Sequence, residues 1–267
     1  MKFLAAAVQM LASDDRAANL AEAARWMGEA ASKGARMVAL PEVFIWRGEK
    51  KEERNFAESI PGPTSDRLAG LARDLRIYLL AGSILEEIPG NHKVYNTSLL
   101  FDPNGQLVAI YRKIHLFDVE IPGGVAARES DTRQFGDAVV VAQTELCPIG
   151  LTVCYDLRFP ELYRALVTQG ARLICIPSAF TAYTGRAHWE PLLRARAIEN
   201  QVYIVAPNQF GKNPKSFDTH GHSMIIDPWG KILAEAPDRS GVILAEMDLA
   251  YLEKVRAELP ALAHRKL

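Results

Sequence analysis

Cys154 is the first side chain that asks for a chemical explanation. It closes the run Ile149-Gly150-Leu151-Thr152-Val153-Cys154, where a β-prone stretch delivers a thiol to a strand end, and a helical pattern begins soon after at Phe159-Pro160-Glu161. A nucleophile on such a strand-to-helix turn projects over a cleft, close to main-chain N–H groups. The plain alternative is that cysteine is among the most buried residue types and behaves as a small hydrophobe. Cys175, inside Leu173-Ile174-Cys175-Ile176-Pro177, fits that description, and Cys147 precedes a proline in a polar loop, so neither is given a role. Glu42 follows the apolar run Met37–Leu40 and Pro41. A carboxylate at the mouth of a buried strand is desolvated, which raises its pKa toward a value useful for proton transfer; the competing reading is a solvated loop acid. Lys113 ends the strand Val108–Tyr111 within Tyr111-Arg112-Lys113-Ile114-His115. A lysine taken alone is most often a surface charge.

Other chemistries find less support. No Gly-x-Ser-x-Gly occurs, which argues against a serine triad. His220-Gly221-His222 and His188 come without HExxH or clustered acids, a poor zinc signature, so no metal is expected. No Walker motif and no Gly-x-Gly-x-x-Gly accompanies a strand–helix turn, so nucleotide binding is unsupported.

The elements that must position these residues alternate along the chain. Residues 3–10 read as a buried strand, better than as a signal peptide, because the apolar run from Phe3 to Val8 is short and is preceded by a single Lys. Ser13, Asp14 and Asp15 offer N-caps for a helix to about Ser32, and Gly34 sits where a terminating glycine belongs. Ala35–Leu40 is the next strand. Thr64 is expected to cap a helix to about Leu75, with a third strand at Ile77–Leu85. Thr97–Phe101 and Gln106–Tyr111 form a hairpin around Asp102-Pro103-Asn104-Gly105. The stretch 115–137 reads as an ordered loop. Strands follow near 138–142, 149–153, 172–177 and 202–206, with helices near 159–169 and 187–199; a hairpin around Asp227-Pro228-Trp229-Gly230, a strand at 241–247 and a short helix close the pattern.

Two pairs of stretches echo one another about half the chain apart. Gly34-Ala35-Arg36-Met37-Val38-Ala39-Leu40-Pro41 matches Gly170-Ala171-Arg172-Leu173-Ile174-Cys175-Ile176-Pro177, and Ser98–Gly105 matches Ser223–Gly230 through a shared Asp-Pro-x-Gly turn. Each alone is a common local pattern; together, in the same order, they indicate one domain over 1–267 built from two similar halves. Alternating strands and helices suggest sheets covered by helices on their outer faces. A chain of 267 residues buries roughly 75% of the surface its unfolded form exposes, so no metal or disulfide staple is needed. With a net charge of −1 and basic residues scattered among acids, the chain lacks the concentrated field that nucleic acid or an anionic membrane demands. No run approaches the ~18 apolar residues of a membrane span. Three cysteines without a Cys-x-x-Cys pair point to a reducing, cytoplasmic setting.

Three stretches, taken together and in order, resemble the nitrilase superfamily of carbon–nitrogen hydrolases: Ala39-Leu40-Pro41-Glu42, Tyr111-Arg112-Lys113-Ile114-His115-Leu116-Phe117, and Val153-Cys154-Tyr155-Asp156-Leu157-Arg158-Phe159-Pro160-Glu161. The resemblance extends over nearly the whole chain. It implies an α/β fold, a four-layer α-β-β-α sandwich with two pseudo-symmetric halves, and a homodimer or larger homo-oligomer paired through outer helices. It also implies the roles: Cys154 as nucleophile, Glu42 as general base, Lys113 as the cation facing the oxyanion, Glu129 as the second glutamate, and the backbone N–H of Tyr155 completing the oxyanion hole. A cysteine attacks an amide carbon after losing its proton to the carboxylate, and the negative oxygen of the tetrahedral intermediate rests against Lys113 and an N–H. Glu42 returns the proton to the leaving amine, and a water then frees the acid from the thioester. No cofactor is called for.

Within the superfamily, Ser178-Ala179-Phe180-Thr181 and Thr184-Gly185-Arg186-Ala187-His188-Trp189-Glu190 resemble the branch containing deaminated glutathione amidase and omega-amidase. Ser178, Glu199 and the run Gly221–Gly230 lean toward the first. Arg158 is expected to pair with a substrate carboxylate through its planar fork, or else to form a structural salt bridge near a helix start. Phe180 and Thr181 either line the substrate pocket or simply pack. The implied activity is hydrolysis of a small carboxylated amide, deaminated glutathione first and 2-oxoglutaramate or an N-carbamoyl amine as alternatives. A non-catalytic binding or scaffold relative and a metal-dependent amidohydrolase are the readings from other classes.

Overall fold

The computed structural model describes residues 1–122 and 125–266; residues 123–124, part of the expected loop, and 267 lie outside the described residues. Strand β1 (Lys2–Gln9) is followed by α1 (Arg16–Ser32), β2 (Ala35–Ala39), a 3-10 turn at Lys50–Phe56, α2 (Pro63–Leu75), β3 (Tyr78–Leu80), β4 (Ile84–Glu87), β5 (Val94–Phe101) and β6 (Leu107–Arg112). The hairpin β7 (Asp118–Glu120) and β8 (Ala126–Arg128), a 3-10 turn at Glu129–Asp131 and β9 (Arg133–Gln134) lie between the halves. Then come β10 (Val141–Ala142), β11 (Ile149–Leu151), a 3-10 turn at Cys154–Arg158, α3 (Pro160–Thr168), β12 (Leu173–Cys175), α4 (Ala182–Asn200) and β13 (Tyr203–Ala206). The chain ends with β14 (Phe210–Gly211), β15 (Thr219–His220), β16 (Met224–Ile226), β17 (Ile232–Glu235), β18 (Gly241–Asp248) and α5 (Leu249–Glu258).

The two large sheets repeat one plan. The first runs β18-β1-β2-β3-β5-β4, with β6 and β9 also paired to β5, and the second runs β10-β11-β12-β13-β16-β17. In each, an antiparallel neighbour precedes three mutually parallel strands, and an antiparallel hairpin closes the series. The sequence echoes fall on equivalent places, since β2 corresponds to β12 and the β5–β6 turn corresponds to the β16–β17 turn.

Side-chain alternation sets the layers. Ala5, Ala7, Met37, Ala39 and Leu80 point into a core shared with Leu151, Leu173 and Val205 of the second sheet. Their neighbours Ala6, Val8, Val38, Leu40 and Leu79 pack instead with Ala23 and Met27 of α1 and Leu68 and Ala72 of α2. Leu162, Tyr163 and Leu166 of α3 and Trp189 and Leu193 of α4 cover the other face of the second sheet. A strand buried on both faces has no polar alternation to show, which is why these strands read as continuous apolar runs. The result is the four-layer α-β-β-α sandwich. Trp189 is fully buried and donates its Nε1 to the carbonyl of His222 at 2.7 Å, anchoring α4 against the second sheet.

Local departures from expectation have identifiable causes. The third strand is two strands, β3 and β4, separated at Gly82 in the left-handed region (φ +46°). Helix α2 is capped from Gly62, whose N–H donates to Ser65 Oγ at 2.8 Å; Thr64 binds Glu58, a carboxylate favourably placed at a helix N-terminus. Helix α4 begins at Ala182, five residues before the expected start, because Thr181 caps it while Gly185 and Pro191 blur its periodic signal. The stretch 115–137 carries a hairpin and a 3-10 turn.

Candidate active site

Two residues near the strand ends are held in sparsely populated backbone conformations. Val43, next to Glu42, has φ +44°, and Cys154 has φ +49°. A β-branched residue at positive φ is a genuine outlier, and such strain persists only where surroundings over-determine it. At Val43 the surroundings are Ser83 Oγ, which accepts the Val43 N–H at 3.0 Å, and Gly82, where an added Cβ would collide with the Pro41 carbonyl oxygen. At Cys154 they are the Pro177 carbonyl, which accepts its N–H at 2.9 Å, and Asp156, which accepts the Val153 N–H at 2.8 Å. Asp156 is fully buried and also takes bonds from the Tyr111 hydroxyl (2.6 Å), the His115 N–H (3.0 Å) and His115 Nδ1 (2.7 Å). One carboxylate therefore ties the turn bearing Cys154 to residues two before and two after Lys113.

Glu42, Lys113 and Glu129 meet directly. Lys113 Nζ lies 3.0 Å from Glu42 Oε1 and 2.8 Å from Glu129 Oε2. Asn96 Nδ2 bridges the two acids, at 2.8 Å from Glu42 Oε1 and 3.4 Å from Glu129 Oε1. The other oxygen of Glu42 accepts the Ala179 N–H at 2.8 Å, and Glu129 accepts the Phe117 N–H at 2.6 Å. Arg133 pairs with Glu129 and, on its other side, with Glu53 at 2.6 Å. Exposure of Glu42, Lys113 and Glu129 is 4%, 2% and 8%, so these are enclosed charges that must neutralise one another.

That enclosure sets the protonation states. Burial alone would raise Glu129, but Lys113 and Arg133 outweigh it and hold its carboxyl well below the usual range. Burial alone would lower Lys113, yet the carboxylates of Glu129 and Glu42 overcome it and hold the ammonium above its ordinary value. Burial pushes the Cys154 thiol well up, the hydrogen-bonded Glu42 carboxylate adds to this, and Lys113 only partly opposes it. The resting sulfur is therefore a thiol, on the same cavity as the Glu42 carboxylate.

Cys154, Glu42, Lys113 and Glu129 open onto a cavity of about 450 Å³, within the roughly 300–1,000 Å³ usual for small-molecule sites. The Tyr155 N–H lies in the first turn of the 3-10 segment starting at Cys154, where a helix supplies no acceptor of its own. Arg158 lines the cavity, over the rings of Phe180 (5.3 Å) and Tyr155 (5.8 Å) and 3.3 Å from His188 Nδ1, with no carboxylate partner among the described residues. Phe180 and Thr181 are buried in the cavity wall. Phe180 also packs on Trp189, and Thr181 caps α4, so each combines lining with structure. Among the described residues no three His, Cys, Asp or Glu side chains are grouped to hold a metal ion.

Asn96, Arg133, Asp156 and Arg47, which also lines the cavity, escape a reading of the sequence. Asp156 lies inside a recognised motif, yet its partners Tyr111 and His115 are more than 40 positions away. Asn96 and Arg133 sit among ordinary strand and loop residues, and only the folded chain brings them to the acids.

The family model described as carbon-nitrogen hydrolase matches residues 4–257. Deaminated glutathione amidase of Synechocystis sp. is 44% identical over 266 residues, 98% of this chain and 98% of that protein. Omega-amidase NIT2 of Xenopus tropicalis is 42% identical over 265 residues, 99% of this chain and 95% of that protein. Among solved structures, the C. elegans NitFhit protein superposes with a TM-score of 0.93 at 39% identity over 99% of this chain; this chain spans 65% of the NitFhit chain.

Proposed function

We propose that this chain, which belongs to the carbon–nitrogen hydrolase family, attacks the amide carbon of a small carboxylated substrate with Cys154, deaminated glutathione being the substrate that fits best. The chain is a hydrolase acting on non-peptide carbon–nitrogen bonds, with the nitrilase-superfamily fold. The supporting observation is the convergence of a thiol, a carboxylate and a buried ammonium group paired with that carboxylate on one cavity. As the Cys154 sulfur bonds to the carbonyl carbon, Glu42 takes the thiol proton. The carbonyl oxygen becomes an oxyanion facing Lys113 Nζ and the Tyr155 N–H, in an enclosed site where such donors act strongly. Glu42 passes the proton to the departing nitrogen as the carbon–nitrogen bond breaks, leaving a thioester. Water loses a proton to Glu42, adds to the thioester carbon, and the acid leaves as the thiol is restored. Glu129 acts through Lys113, holding the ammonium in position.

The lining of the cavity supports an anionic substrate, with seven Lys and Arg side chains against three carboxylates. Deaminated glutathione carries a carboxylate on each side of the scissile amide, and its cleavage yields 2-oxoglutarate and cysteinylglycine. Omega-amidase action on 2-oxoglutaramate is the second reading, favoured by the comparable likeness to NIT2. A panel of deaminated glutathione, 2-oxoglutaramate, N-carbamoyl amines and nitriles tests the assignment: the first should show the highest kcat/KM. Brisk turnover of another compound beside none of the first overturns the substrate, and no turnover of any overturns the enzyme in favour of a scaffold. A homodimer through the outer helices belongs to the same proposal. Tyr183 and Ile198 of α4 and nearby Trp229 are about half exposed and would be covered there, which light scattering on the purified protein tests. Three unpaired cysteines accord with a cytoplasmic location, checked by cell fractionation.

A further inference from the structure

Arg47 is a buried guanidinium with no ion-pair partner among the described residues. Its side chain belongs to a residue only 5% exposed, and among the described residues no carboxylate lies within ion-pair distance. Nη2 donates to neutral acceptors only, Ser216 Oγ at 3.3 Å and the Phe217 carbonyl at 3.2 Å, and the group lies over the Phe217 ring at 5.2 Å. Nη1 is buried and has no acceptor among the described residues. Two other largely enclosed arginines are paired, Arg133 with Glu53 and Glu129 and Arg196 with Glu199. The neighbouring Trp46 repeats the pattern, since its Nε1 is also buried without an acceptor. Both residues line the cavity that holds Cys154 and Glu42.

The backbone here is fixed, so the group is presented rather than loose. The Arg47 N–H donates to the Ser13 carbonyl at 2.8 Å, and its own carbonyl accepts from Asn213 Nδ2 at 3.1 Å. Gly48 follows, and an added Cβ there would collide with the Trp46 indole, so the ring's placement depends on a glycine. Leaving a buried charge and a buried N–H unpaired is costly. A ligand carboxylate would supply the missing charge and accept from a planar fork built for it.

We propose that Arg47, assisted by Trp46, seats the carboxylate on the acyl side of the substrate, the half that stays on Cys154 as the thioester. The inference rests on the amidase reading above. The acyl half is favoured over the leaving amine because Arg47 is enclosed in the wall of the cavity that holds Cys154, to which the acyl half stays bound. Arg158, more exposed beside His188, suits the leaving fragment. Arg47 thereby selects 2-oxo acid amides and their dicarboxylate analogues over uncharged amides.

The test compares glutaramate with pentanamide, which has the same five-carbon chain without the carboxylate. In Arg47→Gln the preference for glutaramate in kcat/KM should fall about 10–100-fold, the worth of one charge-assisted hydrogen bond. Arg47→Lys, which restores charge without the fork, should recover part of it. A parallel readout needs no turnover: 2-oxoglutarate should protect Cys154 from iodoacetamide, and the concentration for half-protection should rise by the same factor in Arg47→Gln. Equal losses on both amides, or unchanged protection, would assign Arg47 to loop structure and overturn the proposal. Wild-type protein that hydrolyses no amide but is protected by 2-oxoglutarate through Arg47 would sink the amidase reading alone, and wild-type protein unprotected by 2-oxoglutarate would sink this one.

Discussion

Replacing Glu129 by Gln removes one negative charge from an enclosed cluster while keeping its shape. Glu129 is within hydrogen-bonding reach of Lys113 through both carboxylate oxygens, at 3.1 and 2.8 Å, and also holds Arg133 and the Phe117 N–H. The amide oxygen of the variant could still accept from one cation, but Lys113 and Arg133 would then share only the charges of Glu42 and Glu53. Removing one partner of a buried ion pair costs about 3–5 kcal/mol, because the charges left behind stay desolvated. For a chain of this size that lowers the melting temperature by on the order of 10 °C, measurable by calorimetry. Lys113, in its proposed role as oxyanion donor, is no longer fixed from that side, and kcat should fall about 10²–10³-fold with a much smaller change in KM. The stability deficit has a pH signature. The carboxyl of Glu129 is held at about 2, below its ordinary 4.5, so its contribution is complete above about pH 4.5 and is lost as pH falls toward 2. The gap in melting temperature between wild type and variant should therefore close on acidification. A variant that melts lower yet keeps its kcat would refute the claim that Glu129 positions Lys113; one that melts with the wild type at neutral pH would refute the buried-charge argument itself.

Four further outcomes follow from the same geometry. Cys154→Ser should melt within a few degrees of wild type, and its hydrolysis of any amide should be undetectable. In Glu42→Gln the carboxylate that disfavours the thiolate is gone, so the pH midpoint for iodoacetamide labelling of Cys154 should move down while hydrolysis is lost; an unchanged or higher midpoint would contradict the electrostatics. Asp156→Asn loses the charge that collects four bonds beside Cys154, and both stability (about 2–4 kcal/mol by denaturant titration) and kcat should drop together. Gly82→Ala places a Cβ against the Pro41 carbonyl at a left-handed position, so it should lower kcat by displacing Glu42 while Cys154 still labels; wild-type kcat in that variant would show that the Pro41–Glu42 turn tolerates displacement.

What can be read from the sequence follows a physical division. Strands such as Ala35–Ala39 and Leu173–Cys175 are buried on both faces and are visible as apolar runs, and their repeated setting announces two similar halves, seen in the fold as two sheets of one plan. Glu42, Lys113 and Cys154 stand out only as strand-end residues with polar neighbours, and the resemblance, not their spacing, joins them. Glu129 lies in a stretch without periodicity because its hairpin is too short to register. Asn96, Arg133 and Asp156 matter through partners remote in the chain, and no local pattern marks them. Arg47 differs again: its distinguishing property is the absence of a counter-charge in the folded state, among the described residues, which a sequence cannot display.

In the proposed reaction an amide substrate becomes covalently attached, through its acyl carbon, to one particular sulfur. Mixing the protein briefly with deaminated glutathione, quenching in acid and mapping peptides by mass spectrometry reads this directly. A 2-oxoglutaryl adduct is expected on the peptide bearing Cys154 and on neither Cys147 nor Cys175. Substrate turnover with no adduct on any time scale, or with the adduct on another residue, would contradict it.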